Sequence, residues 1–144
     1  MFHTIVVAHN ESPESDRALA SAIKLAQSVG AALHTVTVMA ELPAYTAYAG
    51  AVDGSTLRVL EDDRVKFYEQ LQEKTRALGT QAGIELHTHL IEGHQVESII
   101  DFLRAQQADL LVIGLHHRDL HIARLWSTVY ELAQNAPCSV LGVH

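Results

Sequence analysis

Cysteine occurs once in these 144 residues, at Cys138. A lone thiol excludes an internal disulfide and any structural zinc site built on several cysteines. Long apolar runs are missing: stretches such as Leu110-Leu111-Val112-Ile113 are far too short to span a bilayer. The start, Met1-Phe2-His3-Thr4, lacks the basic flank and apolar stretch of a secretory signal. A positive balance is missing too. The formal net charge is −7, so no overall field draws in phosphates, and general nucleic-acid binding is not expected. Linkers, charge blocks, repeats and low-complexity tracts are absent. What is present is 48% apolar and 19% charged residues, enough for one real core and against disorder. Ten histidines make the charge balance depend on mildly acidic pH. These features lead us to expect one soluble, cytoplasmic domain over residues 1–144.

Strand-like and helix-like segments alternate. Thr4–Ala8 is a short β-branched run. Ser12-Pro13-Glu14 reads as a helix start: the serine accepts an orphan N–H, proline fits the first turn, and glutamate meets the positive end of the dipole. Apolar residues at Ala18, Leu19, Ala22, Ile23, Leu25, Ala26 and Val29 give one buried helical face, and Gly30 closes it. Ala32–Met39 reads as a second strand. Residues 42–54 read as a long loop containing Tyr45 and Tyr48. A helix follows over 56–78, ended by Gly79 and Gly83. The third strand, 85–91, alternates Leu86, Thr88 and Leu90 with His87, His89 and Ile91, a mixture that suits a sheet edge. A short helix over 96–103, a fully apolar strand over 110–113, a polar segment over 116–121, a helix over 122–133 and a last strand over 139–143 complete the chain. Alternation of this kind predicts an α/β fold, an open doubly wound parallel sheet with helices on both faces. Ligands in such sheets sit beyond the carboxyl ends of the strands. That directs attention to residues 8–12, 38–54, 91–95 and 114–128.

Several doubly wound families are excluded by their chemistry. The positions where a response regulator carries its acidic residues and phosphorylatable aspartate hold His9-Asn10 and Glu92-Gly93. The glycine-bearing phosphate loop of a flavodoxin, G-x-G-x-x-G, the Walker loop and the G-x-S-x-G elbow are all missing. The run from Ile5 to Ser15, with Val7-Ala8-His9-Asn10-Glu11-Ser12, is similar to an opening V-A-x-D-x-S-x-x-S turn. Ala108-Asp109-Leu110-Leu111-Val112-Ile113-Gly114 matches A-D-L-[IL]-V-[MI]-G. Leu125-Trp126-Ser127-Thr128-Val129 resembles L-L-G-S-V, and Ala136-Pro137-Cys138-Ser139-Val140-Leu141 resembles A-P-C-P-V-L. Four such pieces in order, with matching spacing, make a specific signal: the chain resembles the universal stress protein family over essentially its whole length. That resemblance implies a five-stranded parallel sheet in the order 3-2-1-4-5, an adenine nucleotide alpha hydrolase-like fold. It also implies dimers joined through the fifth strand.

In the nucleotide-binding branch of that family, ATP sits on G-x-x-G, nine residues, then G-[ST]. Here Gly114 keeps the first glycine, His117 and Ser127 replace the other two, and Thr128 keeps the hydroxyl. The family's aspartate after the first strand, a contact for adenine and ribose, is Asn10. The resemblance thus implies a nucleotide site of Ala8, Asn10, Val38, Gly114, His117, Ser127, Thr128 and Val129. Residues 114–119 are also similar to the G-H-H-x-D run of the branch that lacks ATP binding, with Leu115 as an extra residue. If both lost glycines served at positive φ, each replacement would cost about 1–2 kcal/mol, and together they would weaken a triphosphate site by roughly 10². A helix start at Ser127 and Thr128, with Arg118 and Arg124 nearby, still suits a smaller anion such as AMP or inorganic phosphate.

Other residues invite chemistry less strongly. His116, His117 and His121 form H-H-x-x-x-H, which reads as a solvated loop in preference to a metal site. His87 and His89 read as an exposed strand face, with a pH-sensing pair as the alternative. Cys138 reads as a small buried apolar residue, and Trp126 as a core residue on the 122–129 stripe. The expected function is non-catalytic: a homodimeric stress-response regulator that binds ATP, AMP or a small anion, requires no metal, and is read by a protein partner. The alternatives are a dimeric interaction module with a vestigial pocket, and a metal- or nucleotide-dependent hydrolase, for which the sequence offers no placed base.

Overall fold

The computed structural model describes residues 1–39, 54–115 and 128–144. The strands β1 (Thr4–Ala8), β2 (Ala32–Met39), β3 (Leu86–Glu92), β4 (Leu110–Gly114) and β5 (Ser139–Val143) alternate with helices α1 (Pro13–Val29), α2 (Gly54–Gln81), α3 (Gln95–Ala105) and α4 (Thr128–Asn135). All pairings are parallel, and the sheet order is β3-β2-β1-β4-β5, as expected. β1 and β4 lie at the centre and are buried on both faces, which is why they read as continuous apolar runs. Two cores result. Ile5, Val7, Leu33 and Val112 pack under Ala18, Leu19 and Ala22 of α1. Val6, Val36, Leu111 and Ile113 pack under Ile99 and Leu103 of α3 and Leu132 of α4.

Local chemistry sets the element ends. Ser12 caps α1, its Oγ accepting from the Ser15 amide at 3.2 Å, and Gly30 closes the helix at φ 69°. Gly79 does not end α2, contrary to expectation. It lies inside the helix, where an added Cβ would stand 2.6 Å from the Leu86 Cβ. Gly83, at φ 71°, makes the turn that follows. Asp109 ties the two central strands together at their amino ends. Its carboxylate accepts from the amides of His3 at 2.7 Å and Thr4 at 3.0 Å, and its own amide donates to the Thr4 carbonyl at 3.1 Å.

Candidate functional site

β1 and β4 are hydrogen-bonded neighbours, yet each is followed by a crossover to a different face of the sheet. Their carboxyl ends therefore open a crevice, the place where doubly wound sheets bind ligands. One cavity of about 510 Å³ is lined there by Ala8, Asn10, Ser12, Gly114, Thr128 and Val129, among others. A second, of about 530 Å³, lies over the ends of β2 and β3, with Ala8, Asn10, Val36, Val38, Tyr68 and Gly93 in its walls. Ala8, Asn10 and Gln95 are common to both. Each volume falls within the roughly 300–1,000 Å³ of small-molecule sites.

Of the residues singled out from sequence, Ala8, Asn10, Gly114, Thr128 and Val129 meet at the first cavity, and Val38 lies in the adjoining one. His117 and Ser127 lie outside the described residues. So do Tyr45, Tyr48, Trp126, His116 and His121.

The β1–α1 turn is held from within. The Asn10 side-chain oxygen accepts from the Ser12 amide at 2.8 Å. Ser15 Oγ donates to the Asn10 carbonyl at 2.7 Å and accepts from the Asn10 amide at 3.2 Å. Asn10 itself is exposed, so a fixed backbone presents a carboxamide at the junction of the two cavities.

Gly114 has a role the motif does not reveal. Its φ is not among the positive ones. A Cβ there would run into the carbonyl group of Glu14 and stand 2.8 Å from the Glu14 Cβ. The glycine lets the first turn of α1 close against the end of β4. Gly93, at φ 148°, does need glycine's freedom, and it shapes the far wall of the second cavity.

His9 occupies the variable place of the V-A-x-D turn, so the motif assigns it no role. It is buried, it lines the second cavity, and its Nε2 lies 3.1 Å from Asp16 Oδ1. Burial pushes its pKa below the ordinary imidazole range, against the pull of Asp16 and with some help from Lys74. Its Nε2–H is committed to the carboxylate, which fixes the tautomer. Tyr68 and Gln95 also line the site; Gln95 falls in a segment marked from the strand order, whereas nothing in the sequence marks Tyr68. Cys138 is half-buried, and burial raises its pKa, so the thiol stays protonated and unreactive. Among the described residues no three ligating side chains converge on a metal position, and no helix is long and apolar enough to cross a membrane.

The sequence profile of the universal stress protein family matches residues 1–144. The chain belongs to that family. Universal stress protein MJ0531 of Methanocaldococcus jannaschii is 24% identical over 144 residues, which are 99% of this chain and 82% of that one. The fold is similar to that of UspA from Lactobacillus plantarum, with a TM-score of 0.78, 21% identity and coverage of 99% and 98% of the two chains. It is also similar to a universal stress protein solved in complex with cAMP, with a TM-score of 0.74, 25% identity and coverage of 99% and 97%. Two further structures show the fold alone. One is from Arabidopsis thaliana with AMP bound, at 15% identity, a TM-score of 0.71 and coverage of 98% and 90%. The other is from Archaeoglobus fulgidus in complex with dAMP, at 16% identity, a TM-score of 0.70 and coverage of 100% and 98%.

Proposed function

We propose that this chain is a non-catalytic stress-response regulator whose double cavity takes an adenine nucleotide of few phosphates, AMP or cAMP in preference to ATP. The observation that carries the reading is the junction at Asn10. From it one cavity runs to Gly114 and Thr128, and the other to Val36 and Val38. A nucleotide has the same two-part chemistry. Its flat base suits the Val36, Val38 and Tyr68 side, and its phosphate suits the first turn of α4, where amide N–H groups and the dipole favour an anion. The cAMP, AMP and dAMP complexes of similar proteins support this choice of ligand. The loss of two motif glycines, at His117 and Ser127, counts against a triphosphate.

Isothermal titration with AMP, cAMP, ATP and inorganic phosphate tests the proposal. AMP or cAMP is expected to bind more tightly than ATP, and Thr128→Glu, which sets a carboxylate at the phosphate end, is expected to weaken binding by about tenfold or more, as ~1.4 kcal/mol of repulsion would. The double change His117→Gly with Ser127→Gly is expected to tighten ATP binding by roughly 10². No heat and no thermal shift with any of these ligands at about 1 mM would overturn the reading. That outcome favours the second reading, an interaction module with a vestigial pocket, which the same lost glycines support. In either case the exposed outer edge of β5 is the surface we assign to pairing with a second copy of the chain.

A further inference from the structure

Away from the cavities, three imidazoles meet on the sheet face that α3 covers. His34 of β2 stands in register with His87 of β3, and His89 follows two residues along β3, so all three side chains leave the same face. His34 Nδ1 and His89 Nε2 are 3.0 Å apart, a separation that needs a proton on one nitrogen and a lone pair on the other. The His34 ring lies 4.8 Å from that of His87 and 5.3 Å from that of His89, centroid to centroid, with interplanar angles of 26° and 22°. Phe102 of α3 backs His89 at 4.7 Å. His34 and His89 are half-buried, while His87 is exposed.

The groups around this cluster offer little to offset added charge. β1 contributes Val6, in register with His34. On α3 the charged Glu97, Asp101 and Arg104 line the groove toward Glu131 and Asn135 of α4, and Asp101 and Arg104 pair with each other at 3.6 Å. Arg76 of α2 is occupied with Thr88, 2.7 Å away on the opposite face of the sheet. The carboxylate at the cluster is Glu85, 3.4 Å from His87 Nε2; among the described residues none pairs with His34 or His89.

We propose that His34, His87 and His89 form a proton-operated clasp that fastens the edge strand β3 to β2 at neutral pH and releases it in mild acid. The neutral pair shares one hydrogen bond. A first added proton goes to an outer nitrogen and leaves that bond in place. A second puts N–H on both facing nitrogens, so that two donors and two like charges oppose each other at 3.0 Å. Burial, and then the neighbouring histidines, hold His34 and His89 below the ordinary imidazole range. Both therefore take up their protons less readily folded than unfolded, and the cost of holding β3 grows as pH falls. The ligand is the proton itself, since the three rings do not converge on a metal position. Release would reach the cavity walls, because β2 continues from His34 to Val36 and Val38, and β3 is followed by Gly93. The clasp stands whether or not the cavity takes a nucleotide.

Amide hydrogen exchange on the whole chain, with a chelator present and rates corrected for intrinsic pH dependence, tests this at about pH 7.5 and about pH 5, either side of imidazole titration. Protection across β3 is expected to fall by about tenfold or more in acid relative to β4, as a ~1.4 kcal/mol loss would produce. The double variant His34→Gln with His89→Gln is expected to show equal β3 protection at the two pH values. A matched fall in β3 and β4, or a wild-type fall that persists in the double variant, overturns the clasp. Should that variant fail to fold, NMR titration of the wild-type histidines decides instead. Coupled uptake, with the second proton entering below 6.5, supports the clasp, and independent titration of His34 and His89 at that ordinary value overturns it.

Discussion

Gly114 serves two masters at the residue scale, and the two can be separated. A glycine in a phosphate motif is commonly there for the ligand, but this one is already required by packing, since a methyl group at its position would strike the Glu14 backbone. Backbone inside a capped helix turn gives way poorly. Gly114→Ala is therefore expected to lower the free energy of unfolding by about 1–3 kcal/mol, measured by urea denaturation with no nucleotide present. An unchanged unfolding midpoint together with lost nucleotide binding would instead make Gly114 a ligand-contact residue. Asp109 teaches a similar lesson. It belongs to the A-D-L piece of the family pattern, and its work here is to tie β4 to the start of β1 through two backbone amides.

The elements most legible in the sequence are those whose signals are local. Ser12, Pro13 and Gly30 mark both ends of α1 because caps and positive φ are decided within a few residues. β4 announces itself because a strand buried on both faces must be apolar throughout. Local pattern misleads where a tertiary neighbour decides. Gly79 reads as a helix stop, yet it is a notch for Leu86. His87 and His89 read as an exposed face, yet His89 bonds to His34, more than fifty residues earlier, through the β2–β3 register. No local pattern carries that register. The candidate site is legible to a similar degree: strand order and motif spacing point to Ala8, Asn10, Gly114 and Thr128, which line one cavity, whereas Tyr68 arrives from the middle of a long helix without any marker. The sheet edges carry a further consequence. β5 ends the sheet with one edge paired to β4, and it leaves Leu141 40% exposed, so a second copy could extend the sheet there. If it does, Leu141→Lys is expected to convert dimer to monomer in sedimentation equilibrium while changing the stability of the monomer by no more than about 0.5 kcal/mol. A wild-type chain that sediments as a monomer at every concentration would remove β5 as the pairing surface.

For the whole molecule the decisive variable is pH. Among the described residues three imidazoles, His9, His34 and His89, lie below the ordinary value of 6.5, each chiefly through burial. The unfolded chain therefore binds protons first as pH falls, and stability rises with pH wherever the unfolded state holds more of them. Above about pH 7.5 all three are neutral in both states, and this contribution is flat. Stability begins to fall as pH drops through 6.5 and goes on falling until the folded-state values are passed. Asp109 acts in a separate window. Burial raises its pKa, but the amides of His3 and Thr4, together with the charge of His3 and its own amide, outweigh that and draw it below 3.8, so its stabilisation holds above that value and is lost only in stronger acid. Two steps are thus expected in a plot of melting temperature against pH, one beginning just below neutrality and one below 3.8. His9→Gln, which keeps a donor for Asp16 and cannot charge, is expected to shrink the first step and leave the second untouched. It should also leave the pH-dependent exchange of β3 in place, because His9 lies on the α1 side of the crevice and the clasp on the α3 side. A melting temperature equal or higher at about pH 5 than at about pH 7.5 would contradict the burial assigned to all three imidazoles.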